Sequence, residues 1–85
     1  MNFIDEVKNV SDQKTMANFV MKMANSLSED KSGWENGDLE SFLYALSAWI
    51  EDMDGYYQNS GESYSENNIS WKNIADMLAA STMYE

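Results

Sequence analysis

The chain has 85 residues and a formal net charge of −10, from 15 acidic and 5 basic side chains. Its hydrophobic content of 44% is too high for a disordered acidic tail and suits one small domain, which we place at residues 1–85. The absence of Cys and His excludes disulfides, cysteine–zinc sites, thiol nucleophiles and the usual general base near neutral pH.

Two helices are predicted in the first third of the chain. Phe3, Ile4 and Val7 have the spacing of a short helix over about residues 2–9. Ser11 or Asp12 can cap a second helix over about residues 12–27, where an acid favours the positive end of the helix dipole. Its apolar positions recur at helical spacing: Met16, Phe19, Val20, Met23 and Leu27. The polar segment 28–33, which ends in Gly, then predicts a turn.

The third helix has the clearest pattern and is predicted over about residues 37–54. Its apolar stripe covers four turns and consists of Leu39, Phe42, Leu43, Leu46, Trp49, Ile50 and Met53. Asn36 is the expected N-cap, and Gly55 is expected to take the left-handed position after the last turn.

A long, acidic, tyrosine-rich loop is predicted over residues 55–69, because this segment has neither helical nor strand periodicity and many turn formers. Ser70 then caps a last helix, whose expected inner face is Trp71, Ile74, Ala75, Leu78 and Thr82. The predicted fold is all-α, a compact bundle of three main helices plus the short N-terminal one.

The three tryptophans are first interpreted as structural. Trp49 lies in the middle of the long stripe and Trp71 begins the last one, so both are expected in the core. Trp34 precedes its helix and can pack back on it as a lid, or anchor a binding partner.

The acidity is concentrated in the middle of the chain. Residues 29–66 contain ten acids and only Lys31 as a base, whereas the charges of residues 1–28 cancel. Such a surface would repel bare nucleic acid and anionic lipid, whose binders need a basic footprint. The apolar stretches are too short to span a bilayer, and residues 1–6 lack the apolar region of a signal peptide. We therefore expect a cytoplasmic protein that binds neither membrane nor nucleic acid directly.

Metal binding and catalysis are not expected. Asp52, Asp54 and Gly55 resemble the start of a calcium loop, but Tyr57 occupies the place where such loops need Gly. No spacing marks a pair of catalytic carboxylates, and no nucleophile-elbow motif is present. We predict a non-enzymatic protein with no cofactor and no metal.

A protein-binding role fits these features best. Tyrosine offers a large contact area at low entropic cost, and the acids would steer the encounter with a basic partner. The candidate contact residues are Trp34, Glu51, Asp52, Asp54, Tyr56, Tyr57 and Glu62. We expect an acidic module, of the inhibitor or immunity type, that binds a basic nucleic-acid-processing protein. The alternatives are that the tyrosines only pin the loop, and that the chain is a structural domain, monomeric or weakly dimeric through its methionine-rich second helix.

The chain also resembles a family of small acidic bacterial proteins of unknown function. The likeness covers most of the chain after about residue 10, and it is carried by Trp34-Glu-Asn and by the long stripe up to Trp-Ile-Glu-Asp-Met-Asp-Gly-Tyr-Tyr at residues 49–57. It extends to Trp71, to Ala-Asp-Met-Leu at residues 75–78 and to the closing Tyr84-Glu85. The resemblance implies a free-standing bacterial domain and assigns no catalytic or binding residue.

Overall fold

The computed structural model describes residues 3–62 and 64–84, except for the side chain of Ile4. These residues form the α-helices α1 (Phe3–Val7), α2 (Gln13–Glu29), α3 (Leu39–Ser60) and α4 (Trp71–Ser81), with one 3₁₀ turn at Lys31–Gly33. They contain no β-strand. The prediction of an all-α fold with a short first helix and three longer ones is therefore confirmed.

Helices α2 and α4 begin at capping residues that the sequence predicts. The Asp12 carboxylate accepts a hydrogen bond of 2.8 Å from the backbone N–H of Thr15, and the Thr15 hydroxyl oxygen accepts one from the N–H of Asp12. Ser70 and Asn73 exchange the same pair of bonds at the start of α4. Each capping box satisfies backbone donors that the helix itself leaves without partners, and so sets where the helix begins.

Helix α3 begins at a different cap from the expected one. The N-cap is Asp38, whose carboxylate accepts from the backbone N–H of Ser41 at 2.8 Å. Asn36 instead donates its side-chain amide to the carbonyl oxygens of Ser81 and Tyr84, at 3.0 and 2.9 Å. Asn36 thus connects the segment before α3 to the C-terminal end of α4. It satisfies carbonyl groups there, because the last carbonyls of a helix lack intrahelical partners.

Helix α3 also continues beyond its expected end. Gly55 is an interior residue of the helix, and Gly61 takes the left-handed conformation with a φ of 75°. The helix continues because Tyr57 is buried by it, and this burial outweighs the cost of about 1 kcal/mol for a helical glycine. The predicted 55–69 loop is consequently shorter, so that Tyr56 and Tyr57 lie on α3 and Tyr64 lies in the loop before α4.

Helix α4 lies at the centre of the packing. It contacts α1, α2 and α3, whereas the backbone of α3 lies against no other described helix than α4. Two apolar clusters result, one on either side of α4. The first joins α1 and α2 to α4 through Phe3, Val7, Val10, Met16, Phe19, Met23, Ala75 and Ala79. The second is built on α3 from Trp49, Met53 and Tyr57.

Two tryptophan positions agree with the sequence analysis and one does not. Trp49 is buried, as predicted. Trp34 is half-buried and packs back against Phe3 and Phe42, with ring centroids 5.5 and 6.2 Å away. Trp71, expected in the core, is 42% exposed, because burial along α4 begins only at Asn73. No described helix has the length and apolarity needed to cross a membrane.

Two glycine variants test where α3 ends. Gly55→Ala is expected to raise the free energy of unfolding by about 0.5–1 kcal/mol, because alanine is the better helix former and a Cβ at this position has open space. Gly61→Ala is expected to lower it by about 1 kcal/mol, because an L-residue is disfavoured at positive φ. Urea unfolding measures both. If the helix instead ended at Gly55 with this residue at positive φ, Gly55→Ala would lower the free energy of unfolding.

Candidate protein-binding surface

The candidate residues of α3 lie on different sides of one helix. The side that packs on α4 is a row at every fourth position, made by Ala45, Trp49, Met53 and Tyr57. At 3.6 residues per turn, Asp52 and Tyr56 fall on one flank of this row, and Glu51 and Asp54 fall on the other side of the helix, between about 100° and 160° from them. The acidic group that is continuous in sequence is therefore split in space.

Tyr57 belongs to the core and is not available to contact a partner. Only 4% of it is exposed, and its ring packs on Trp49 and on Tyr64. Its hydroxyl donates to the Asp76 carboxylate at 2.6 Å. The prediction of Tyr57 as a contact residue is thus corrected: the extra turns of α3 carry its side chain under α4. Tyr64 packs on it, as expected for a tyrosine that pins the loop.

Tyr56 and Glu62 lie beside a groove of about 610 Å³ whose walls come from α1, α3 and α4. The other residues around it include Phe3, Trp49, Ala79, Ala80 and Tyr84. At one end Lys72 lies between Glu62 and Asp76, with Nζ–Oε2 and Nζ–Oδ2 distances of 3.4 and 3.5 Å. This groove combines aromatic and small apolar side chains with a partly neutralised acidic end.

Asp52 is exposed but already has an internal partner. Its carboxylate accepts a hydrogen bond from the hydroxyl of Tyr84, which itself lines the groove. This bond joins the middle of α3 to the segment after α4. Asp52 therefore has a structural contact in addition to the exposure that a partner would need.

Glu51 and Asp54 form the outer flank of α3, and both are exposed. Neither they nor Asp52 take part in the ion pairs between described residues, whose acidic members are Asp5, Glu6, Glu62 and Asp76. Asp54 also borders a shallow pocket of about 200 Å³ together with Glu62 and Tyr64. The outer flank is thus an acidic surface that the chain leaves without cationic partners in its described part.

Trp34 is separate from these acids. Besides its contacts with Phe3 and Phe42, its indole Nε1–H donates to the Ser26 hydroxyl at 3.4 Å. The ring therefore links the segment between α2 and α3 to the first apolar cluster. The described contacts of Trp34 are those of a packing residue, and they do not place it with the acidic candidates.

An apolar ridge on α3 was missed by the sequence analysis as a candidate surface. Leu39, Leu43 and Ile50 are 73%, 52% and 46% exposed. All three belong to the apolar stripe that predicts this helix. The seven positions of the stripe span about 120° of the helix circumference, and the second apolar cluster covers only the side around Trp49 and Met53.

The acidic surroundings change the titration of nearby groups. The pKa of Tyr56 is raised by burial and then by the charges of Asp76 and Glu62. The pKa of Tyr84 is raised chiefly by its hydrogen bond to Asp52. The pKa of Lys72 is also raised: burial opposes its charged form, but the two carboxylates beside it outweigh that effect. All of these groups hold their protons near neutral pH, so the two tyrosines are neutral there and Lys72 is positively charged.

The same geometry bears on metal binding. The segment 52–57 is helical, so it does not form the calcium loop that its first residues resemble. The described residues contain no group of three or more Asp or Glu side chains arranged to hold a metal ion. The exposed acids of α3 lie next to apolar and aromatic surface. This combination is suited to contacts with cationic side chains.

Residues 12–85 match the model of a family of unknown function, DUF7660. The chain belongs to this family. The resemblance to an uncharacterised family noted in the sequence is thereby confirmed. Comparison with curated proteins and with solved structures gave no match. Helices α2, α3 and α4, with their surfaces, all lie within the family region.

Tyr57→Phe tests the link between α3 and α4. Removing the hydroxyl leaves the Asp76 carboxylate with Lys72 alone, and we expect the free energy of unfolding to fall by about 1–2 kcal/mol. Tyr44→Phe is the matched control, because Tyr44 is 74% exposed, and its change is expected to stay within about 0.5 kcal/mol. Equal effects of the two variants in urea unfolding would contradict the role of this bond.

A pH dependence follows from the same residue. Burial, and then the hydrogen bond to Asp76, raise the pKa of Tyr57 above its ordinary value of 10.0. As the pH rises, the unfolded chain therefore releases this proton before the folded protein does. The contribution of Tyr57 to the free energy of unfolding is fully present below about pH 10 and falls as the pH rises further. Urea unfolding at pH values between about 9 and 11 should show a shallower decline for Tyr57→Phe than for the wild type. Parallel declines would assign the effect to other tyrosines.

Proposed function

We propose that this chain is a non-catalytic acidic module that binds a basic protein, in the manner of an inhibitor or immunity protein. A partner that processes nucleic acid would suit it, because such proteins carry a basic groove that carboxylates can occupy. The observation that supports this best is the outer flank of α3. Glu51 and Asp54 are exposed there, on a rigid helix, and no described cation pairs with them.

Charge complementarity would act mainly on the rate and selectivity of binding. Residues 29–66 contribute a net charge of −9 out of −10, so the field is strongest around α3 and the segments that flank it. Long-range attraction of this kind raises association rates and weakens with salt. Tyr56 and Glu62, beside the groove, extend the proposed contact region, and Asp52 joins it through its exposed carboxylate.

The proposed setting is the bacterial cytoplasm, with the partner a protein and not membrane or nucleic acid. Cell fractionation of the source cell tests the compartment directly. A mobility-shift assay with duplex and single-stranded DNA tests direct nucleic-acid binding, for which a shift at physiological salt would count against the proposal.

The alternative is a self-associating structural domain. The second helix, expected to carry the leftover apolar face, buries Met16 and Met23 but leaves Val20 and Met21 exposed. Sedimentation velocity over a wide concentration range decides between a monomer and a dimer. A monomer at high concentration would count against self-association.

Charge reversal on the outer flank tests the binding proposal. The double variant Glu51→Lys/Asp54→Lys is expected to lose most of the basic protein captured by the wild type from source-cell lysate at low salt. Its control is Glu29→Lys/Glu35→Lys, which changes the net charge equally at exposed acids outside α3. Capture should persist with the control and weaken with salt. Equal loss of capture in both variants would show that only the net charge matters. Unchanged capture by the outer-flank variant would refute the proposal that Glu51 and Asp54 contact the partner.

A further inference from the structure

Helix α3 is twice as long as the helix that covers it. At 1.5 Å per residue its 22 residues extend about 33 Å, against about 16 Å for the 11 residues of α4. The covered row, at every fourth residue, also winds around α3 and leaves part of the apolar stripe uncovered. The uncovered part is the ridge of Leu39, Leu43 and Ile50, with half-buried Leu46 between them.

We propose that this ridge docks an amphipathic helix of the basic partner, whose Lys and Arg side chains pair with Glu40, Glu51 and Asp54. The inference rests on the proposed function and names the structural element that would be recognised. It makes α3 the receptor for one helix, with the ridge supplying burial and the outer flank supplying charge.

The spacing of the ridge suits a helical ligand. Leu39, Leu43, Leu46 and Ile50 follow one another at intervals of four, three and four residues, which is the heptad pattern of helices that pack side by side. At 3.6 residues per turn these four positions fall within about 60° of one another. A facing helix could therefore insert its own apolar side chains between them along three turns.

The acidic flank specifies the sign of the ligand's charge. Glu40 and Asp54 are two heptads apart, directly beside the ridge, and Glu51 lies on the same flank. All three are exposed, and none belongs to an ion pair between described residues. Residues that border an apolar seam in this way select partners by charge, so the ligand helix should be basic at its flanking positions.

The same charges disfavour a second copy of the chain as the occupant. Antiparallel pairing of two ridges would set the acidic flank of one copy beside the acidic flank of the other, and each copy has a net charge of −10. Like charges along a helix seam are destabilising, whereas a basic helix would neutralise them. Charge complementarity therefore favours a different protein over self-association.

A designed peptide tests the geometry without knowledge of the natural partner. The probe is a labelled amphipathic helix of three heptads with Leu at the seam and Lys at its borders, and fluorescence anisotropy gives its affinity for the full chain. A scrambled peptide of the same composition is the control for charge alone. We expect the striped peptide to bind about tenfold or more tightly than the scrambled one, because only it can bury its leucines together.

Two variants of the protein locate the binding. Leu43→Ser/Ile50→Ser should weaken the striped peptide about tenfold or more, whereas Val20→Ser/Met21→Ser, at similarly exposed apolar residues of α2, should leave the affinity within about twofold. Circular dichroism confirms that both variants fold. Equal binding of the two peptides, or equal effects of the two variants, would overturn the inference.

The natural partner separates this inference from the proposed function. If Glu51→Lys/Asp54→Lys abolishes capture and Leu43→Ser/Ile50→Ser does not, the proposed binding of a basic protein is supported and the docking of a helix on the ridge is refuted. If neither variant changes capture, both proposals fail. A concentration-dependent dimer that Leu43→Ser/Ile50→Ser disperses would make a second copy the occupant and would overturn the inference.

Discussion

The packing of α4 against three other helices is the constraint on which the structure depends. This short helix can approach α1, α2 and α3 because its buried positions include the small residues Ala75 and Ala79. Its polar groups are satisfied locally: the hydroxyls of Ser81 and Thr82, both fully buried, donate to carbonyl oxygens of the same helix at 2.6 and 2.9 Å. A larger residue at either alanine would push the neighbouring helices apart, since close-packed cores accommodate added volume poorly.

The attachment of α3 explains why its surface is available. α3 is held to the rest of the molecule mainly through α4, by the apolar row around Trp49 and by several hydrogen bonds, and Phe42 adds a contact with Trp34. Asn36 binds the end of α4, Tyr84 binds Asp52, and Tyr57 binds Asp76. Since α4 covers only part of α3, the same contacts that fix the helix leave its ridge and its outer flank open. A rigid, exposed helix is a better recognition surface than a loop, because little freedom is lost on binding.

The acids of α3 differ in their contacts according to their side of the helix. Asp52 contributes to the internal contacts, and Glu62, after the helix, shares Lys72 with Asp76. Glu51 and Asp54 pair with no described cation, and the described neighbour that Asp54 affects is the Tyr64 hydroxyl, whose pKa is raised by burial and then by this carboxylate. The outer flank is therefore a part of the acidic segment that no described cation neutralises.

The sequence by itself determined the helical periods, the cap at Ser70, the burial of Trp49 and the concentration of acid in the middle of the chain, and it narrowed the cap of α2 to Ser11 or Asp12, since these depend on neighbours within a few residues. Tertiary structure decided where α3 ends, because the gain from burying Tyr57 depends on α4. It also decided which side of the broad apolar stripe is covered, and so the division of the acids between an internal and an outer flank. A period shows that a helix has an apolar side, but only the length and position of the neighbouring helix decide how much of that side is buried.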